Sequence, residues 1–149
     1  KEHQLERVIT IFPWIAIIDK FQHWIYEHPV HTHEERTATW NEILKEFQDN
    51  VIDYSGLETY RSNNWQRQLH LFEVPFYYIE YGIAQLGAIG MWMQYKENKE
   101  QAMDNYCKAL ALGGTRTLPQ LFETAGLKFD FSPDKIKVLM EFVKEEMER

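Results

Sequence analysis

Apolar positions recur at helical spacing along almost the whole chain. Leu5, Val8, Ile9, Phe12, Ile15, Ala16 and the Ile17-Ile18 pair carry that spacing from near the start to about Tyr26. Pro13 falls inside the pattern, which predicts a kink or a break there. The His28-Pro29 step ends the segment. A second helix is predicted from Thr32 or His33, with Glu34 and Glu35 where the dipole of a first turn favours acids, and it directs Trp40, Ile43, Leu44 and Phe47 inward. Periodicity is weakest from about 50 to 64, where Ser55-Gly56 and Asn63-Asn64 are turn signals. A long apolar helix is then predicted from about Pro75 to Tyr95, opened by the proline. Another runs from about Lys99 to Leu112 and stops at Gly113-Gly114. Thr117 caps a short helix with Pro119 near its start and Gly126 at its end. Ser132-Pro133-Asp134 opens the last helix, which carries Ile136, Leu139, Met140 and Val143. No alternating strand pattern, repeat or low-complexity linker interrupts the series. The expectation is an all-α multi-helix bundle forming a single helical domain over residues 1–149.

Composition narrows the class. A chain of 149 residues has room for a real core. Its net charge of −7 argues against general affinity for nucleic acid or an anionic membrane. No run of about 20 apolar residues offers a membrane span. Cys107 is the single cysteine, which excludes an internal disulfide and points to a reducing, cytoplasmic setting. The chain opens on Lys1 without a signal-peptide pattern, and the expectation is that it is cut from something longer.

Two features of the central segment carry chemistry. The predicted helix holds Gly82, Ala84, Gly87, Ala88 and Gly90, and each interior glycine costs up to about 1 kcal/mol relative to alanine. Small residues let another backbone approach closely, which can offset that cost, while Ile83, Leu86, Ile89 and Trp92 read as core. At the start of the same helix, Tyr77 and Tyr81 sit four residues apart and project from one face. His70, just upstream, can reach the same space. Three neutral polar groups converging there suit the oxyanion of a peptide-bond transition state. They do not make a complete hydrolytic site.

The string His70-Leu71-Phe72-Glu73-Val74-Pro75-Phe76-Tyr77-Tyr78-Ile79-Glu80-Tyr81-Gly82-Ile83-Ala84 closely resembles the C-terminal part of oligoendopeptidase F-like enzymes, of the thimet-oligopeptidase-like family of zinc metallopeptidases. The resemblance continues through Ala109-Leu110-Ala111-Leu112-Gly113-Gly114-Thr115, through the segment from Leu118 to Gly126, and into Phe129-Asp130-Phe131-Ser132. It covers roughly Leu5 to the end and is strongest after His70.

The resemblance implies a large helical enzyme with a deep channel that cleaves short peptides internally. It also implies a zinc held by two histidines of a His-Glu-x-x-His helix and a glutamate on a following helix. That motif is absent here: His33-Glu34 is followed by Thr37 where the second histidine is required, and no other histidine starts the pattern. The expectation is therefore that zinc belongs to the intact enzyme, in an upstream catalytic portion of the same chain, and that this portion alone holds no metal and is inactive. Carried over residue by residue, His70 matches a histidine that contacts substrate near the scissile bond. Tyr77 and Tyr81 match tyrosines that bond the substrate carbonyl and the developing oxyanion. Tyr78 points about 100° away from Tyr77 on a helix and reads as structural or as a secondary substrate contact. Glu73 and Glu80 either orient the histidine, bind a substrate N-terminus or are solvated.

Other clusters stand beside this reading. His28, His31 and His33 contain a His-x-His pair that can bind zinc or nickel, although a polar loop at a helix start is the usual meaning. Tyr54, Tyr60, Trp65 and Phe72 either line a peptide channel or pack beneath a loop. The rival function is a non-catalytic helical protein-interaction module. A portion cut from a larger enzyme should also expose apolar surface and self-associate, with the first helix, through Phe12, Trp14, Ile15, Ile18 and Phe21, as the expected place.

Overall fold

The computed structural model describes residues 2–48 and 52–148, and side chains from Leu5 onward; Lys1 and the beginning of the irregular stretch, 49–51, lie outside the described residues. The elements are α1 (Glu2–Glu27), α2 (His33–Phe47), α3 (Glu58–Ser62), a 3-10 turn (Asn64–Arg67), α4 (His70–Glu73), α5 (Ile79–Glu97), α6 (Lys99–Ala111), α7 (Leu118–Thr124) and α8 (Pro133–Met147). Among the described residues there is no strand, and no helix is long and apolar enough to cross a membrane. The all-α expectation holds.

Local capping signals set most boundaries. Thr32 caps α2 by accepting from the Glu35 N–H at 3.1 Å, while the Glu35 carboxylate accepts from the Thr32 N–H at 2.8 Å. Ser132 caps α8, with Pro133 at the first helical position. Helix α7 ends in a Schellman motif, in which the Gly126 N–H bonds the Glu123 carbonyl and the Leu127 N–H bonds the Phe122 carbonyl. Gly126 takes the left-handed φ of +75° that this geometry requires.

Three expectations need correction. Helix α1 is one element through Pro13, so the chain does not break there. An interior proline costs about 3 kcal/mol. Burying one large apolar side chain returns about 1.5–3 kcal/mol, and Ile15, Ile17, Ile18 and Phe21 beyond the proline are all buried. For the same reason most of the apolar docking face expected on α1 is not available, because Ile15, Ile18 and Phe21 are core residues and Trp14 is half-buried, leaving Phe12 partly exposed. Finally, Pro75 does not open the long helix. Phe76 adopts a φ of +59°, and α5 begins only at Ile79.

By contact density the chain divides into residues 6–82 and residues from 83 onward together with those up to Leu5. The first unit is centred on Ile17, Ile18, Phe21, Trp40, Ile43, Leu44 and Trp65. The Phe21 ring lies 5.0 Å from Trp40 and 5.7 Å from Trp65, spacings at which aromatic pairs add about 0.5–1.5 kcal/mol beyond burial. In the second unit Ile89, Ala102, Ala125, Leu139 and Val143 are buried. Its small residues on α5 receive side chains rather than a backbone: a β-carbon at Gly87 would lie 2.9 Å from Phe122 Cζ, and one at Gly90 would lie 2.9 Å from Leu127 Cδ2. An apolar groove of about 690 Å³ runs along α5, α6 and α7, lined by Met91, Tyr95, Met103, Tyr106 and Leu110 among others.

Candidate active site

The sequence places polar chemistry between His70 and Gly82, and in the structure that segment is fixed by one buried side chain. Gln22 lies on α1 four residues after Ile18 and one turn before Ile25, a core position, and it is only 1% exposed. Its Oε1 accepts from the Phe76 N–H at 2.8 Å, across 54 residues of sequence. Its Nε2 donates to the Leu71 carbonyl at 3.3 Å. The amide therefore clamps the chain on both sides of the Glu73–Pro75 corner. Holding Phe76 in the left-handed region costs about 1–2 kcal/mol. The Gln22 bond offsets this cost, as do ring contacts of Phe76 with His23 at 4.9 Å and Tyr26 at 4.8 Å.

The corner brings His70, Tyr77, Tyr78 and Tyr81 into one aromatic cluster. His70 Nε2 lies 3.1 Å from the Tyr81 hydroxyl. The His70 ring stacks on Tyr77 with centroids 6.2 Å apart, and meets Tyr78 and Tyr81 edge-on at 5.0 and 5.7 Å. Tyr77 and Tyr81 cross almost at right angles, 5.7 Å apart. They share this space although Tyr77 precedes α5, so the clustering comes from the clamped corner and not from helical spacing. Tyr77 and Tyr81 are 47% and 41% exposed.

Tyr78 differs. It is half-buried, and its acidity is held below that of an ordinary phenol, first by burial and also by the neighbouring Tyr81; hydrogen bonds from Trp14 and Gln68 oppose this. It braces the cluster. Glu73 is exposed, and both His70 nitrogens are engaged elsewhere, Nδ1 by Gln68 and Nε2 by Tyr81. Neither Glu73 nor Glu80 orients the histidine.

The remaining clusters resolve into structure. His31 is tied through Nδ1 to the His28 carbonyl and through Nε2 to the Arg36 Nε–H at 2.8 Å, so both its nitrogens serve the turn between α1 and α2. Trp65 belongs to the core, Tyr54 lies under the Arg61 guanidinium, and Phe72 packs 6.0 Å from Trp65; Tyr60 is largely exposed. Sequence reasoning missed Gln22, Gln68 and Trp14. Gln22 alone left a signal, as an uncharged polar residue at an apolar position of the α1 periodicity.

The model of peptidase family M3 matches residues 1–140. The chain belongs to peptidase family M3. Over 118 residues it is 26% identical to an oligoendopeptidase F homolog of Borreliella burgdorferi, covering 76% of this chain and 19% of that protein. An X-ray structure assigned to oligoendopeptidase F superposes on 99% of the chain with a TM-score of 0.85 at 31% identity. A PZ peptidase A solved with an inhibitor does so with a TM-score of 0.84 at 29% identity. The chain spans 26% of each of those two structures. This M3 chain thus matches a part of its relatives' length, and the all-helical architecture is the one seen in them.

Proposed function

We propose that this M3 chain forms the substrate-facing part of an oligopeptidase that hydrolyses internal bonds of short peptides, with Tyr81 as hydrogen-bond donor to the carbonyl oxygen of the scissile bond. The observation that carries the reading is the 3.1 Å contact between His70 Nε2 and the hydroxyl of a Tyr81 side chain that is 41% exposed. As the carbonyl carbon becomes tetrahedral, negative charge grows on its oxygen, and a prepositioned phenol O–H stabilises that charge without adding any of its own. His70 fixes the direction of the phenol. Tyr77 offers a second phenol beside the first and serves substrate binding, while Tyr78 holds the cluster's inner wall. Zinc is implied by the family resemblance. Among the described residues no group of three His, Cys, Asp or Glu side chains could hold a metal, so these residues do not fit that centre and none of the roles above passes through it.

The test is Tyr81→Phe in the full-length peptidase. Turnover should fall about 100-fold, as when one oxyanion donor is removed, with KM little altered because the lost bond forms mainly in the transition state. Stability should change by no more than about 1–1.5 kcal/mol. Unimpaired turnover with a lowered melting temperature would make Tyr81 a packing residue.

A further inference from the structure

The hydrogen bonds behind His70 form a chain whose proton positions can be worked out from one end. The Trp14 indole N–H lies 3.3 Å from Gln68 Oε1, and an indole nitrogen can only donate. Trp14 and Gln68 also bond the Tyr78 hydroxyl, and the Gln68 carbonyl oxygen is the acceptor that faces Trp14, which turns the amide nitrogen toward His70. Gln68 Nε2 lies 2.7 Å from His70 Nδ1. An amide N–H is again only a donor, so Nδ1 must present its lone pair. A neutral imidazole with a bare Nδ1 carries its proton on Nε2. That proton points at the Tyr81 oxygen, 3.1 Å away. The phenol oxygen is thereby occupied as an acceptor, and its own O–H is directed elsewhere.

We propose that Gln68, its amide oriented by Trp14, is a positioning residue that locks His70 in the Nε2–H tautomer and so keeps the Tyr81 phenol proton free to donate outward. The opposite tautomer would have the opposite effect. With the proton on Nδ1, the Nε2 lone pair would attract the Tyr81 O–H, and the hydroxyl would donate into the protein rather than to an acceptor in front of it. The side chain at position 68 thus decides which way a phenol thirteen residues later points. Because successive bonds in such a chain polarise one another, the indole at the far end also supports the donor strength of the phenol. The consequence for catalysis rests on the reading of Tyr81 given above, whereas the proton arrangement does not.

Gln68→Glu separates the two. A carboxylate accepts from both neighbours, so the indole N–H remains satisfied while His70 must move its proton to Nδ1 to donate to position 68. Nitrogen–proton NMR correlations in isotope-labelled protein, recorded at about pH 8.5 where an ordinary histidine is neutral, distinguish bare from protonated ring nitrogens, and a His70→Asn sample assigns the signal. The full-length peptidase should show His70 with a bare Nδ1, and Gln68→Glu should reverse it. Trp14→Phe removes the group that orients the amide and should give a mixture of tautomers; it also covers the case in which the glutamate variant folds poorly. Nδ1–H in the parent chain, or one tautomer in all three proteins, would overturn the proposal. In the full-length peptidase, Gln68→Glu should lower kcat by up to about 100-fold with KM little changed, approaching the loss of one oxyanion donor, and should add nothing in a Tyr81→Phe background. A reversed tautomer with unchanged kcat would uphold the positioning role of Gln68 and refute the catalytic reading of Tyr81.

Discussion

Residues 6–82 and residues 83–148 are both built of helices, yet they hold different material at their centres. In the first, a fully buried amide, Gln22, has both ends bonded to backbone, and a second amide, Gln68, bridges Trp14 and His70. In the second, side chains of Phe122 and Leu127 press against the bare backbone of Gly87 and Gly90, and the buried charge of Glu146 meets Lys96 at 2.8 Å. Neutral amides can fix a corner and a proton without bringing in charge. Glycine packing and an ion pair fix only position. The unit that carries the candidate chemistry is held at its centre by directional amide bonds, and the other by shape and a buried ion pair.

The largest expected effect tests that contact. Glu146 is 1% exposed whereas Lys96 is 42% exposed, so Lys96→Met removes one partner of a buried carboxylate. Weakening such a buried pair should cost more than an exposed one, up to about 3 kcal/mol, read as a shift of the urea midpoint. Lys108→Met, which breaks an exposed pair with Asp104, should cost under about 1 kcal/mol. Equal losses would mean that burial of Glu146 contributes nothing.

The matching cut in the first unit is Gln22→Leu. It keeps the volume roughly constant and removes the partners of the Phe76 N–H and the Leu71 carbonyl. Leaving a buried donor or acceptor unmade costs about 1–3 kcal/mol, so a loss of about 2 kcal/mol in chemical unfolding is expected. A neutral outcome would show that water takes over both groups and that the corner does not depend on α1.

These two sites also show why some features were legible in the sequence and others were not. The caps at Thr32, Thr117 and Ser132 could be read because a cap involves residues only three apart. The start of α5 could not, because the φ of Phe76 depends on a glutamine 54 positions away. Tyr77, Tyr81 and His70 were correctly grouped, but for a helical reason the structure does not support. What unites them is the clamped corner, and Gln68 was invisible because its meaning lies in a contact with Trp14, also 54 positions away.

Glycine packing gives a finer comparison inside the second unit. At Gly87 a new β-carbon would meet the Phe122 ring, which is itself held by Phe129 at 5.1 Å and Phe131 at 6.3 Å. Gly87→Ala should therefore lose about 1–2 kcal/mol, since overpacking outweighs the gain of up to about 1 kcal/mol in helix propensity. At Gly90 the obstacle is the free end of Leu127, which can turn aside, so Gly90→Ala should be near neutral. Thermal unfolding of the pair decides whether the ring cluster is as rigid as its packing indicates.

The smallest effect is one the two units should share. Asp53 Oδ1 accepts from the Ser55 N–H at 2.9 Å, and Asp130 Oδ1 accepts from the Ser132 N–H at 2.9 Å. These bonds hold both carboxyls below their ordinary range: the Ser55 hydroxyl acts first and its N–H second on Asp53, and the Ser132 N–H acts first on Asp130, helped by its hydroxyl and by Lys128 and Lys135. A carboxyl whose folded pKa is depressed favours the folded state fully above its unfolded pKa of about 3.9, and that contribution disappears as pH falls through the folded value. Asp53→Asn and Asp130→Asn should each lower the melting temperature slightly at about pH 6 and converge on the parent chain at about pH 2. Both residues are exposed, so salt should weaken the lysine contribution at Asp130 while leaving Asp53 unchanged. A salt effect of equal size at both would mean that long-range charge, and not the local turn, sets the two carboxyls.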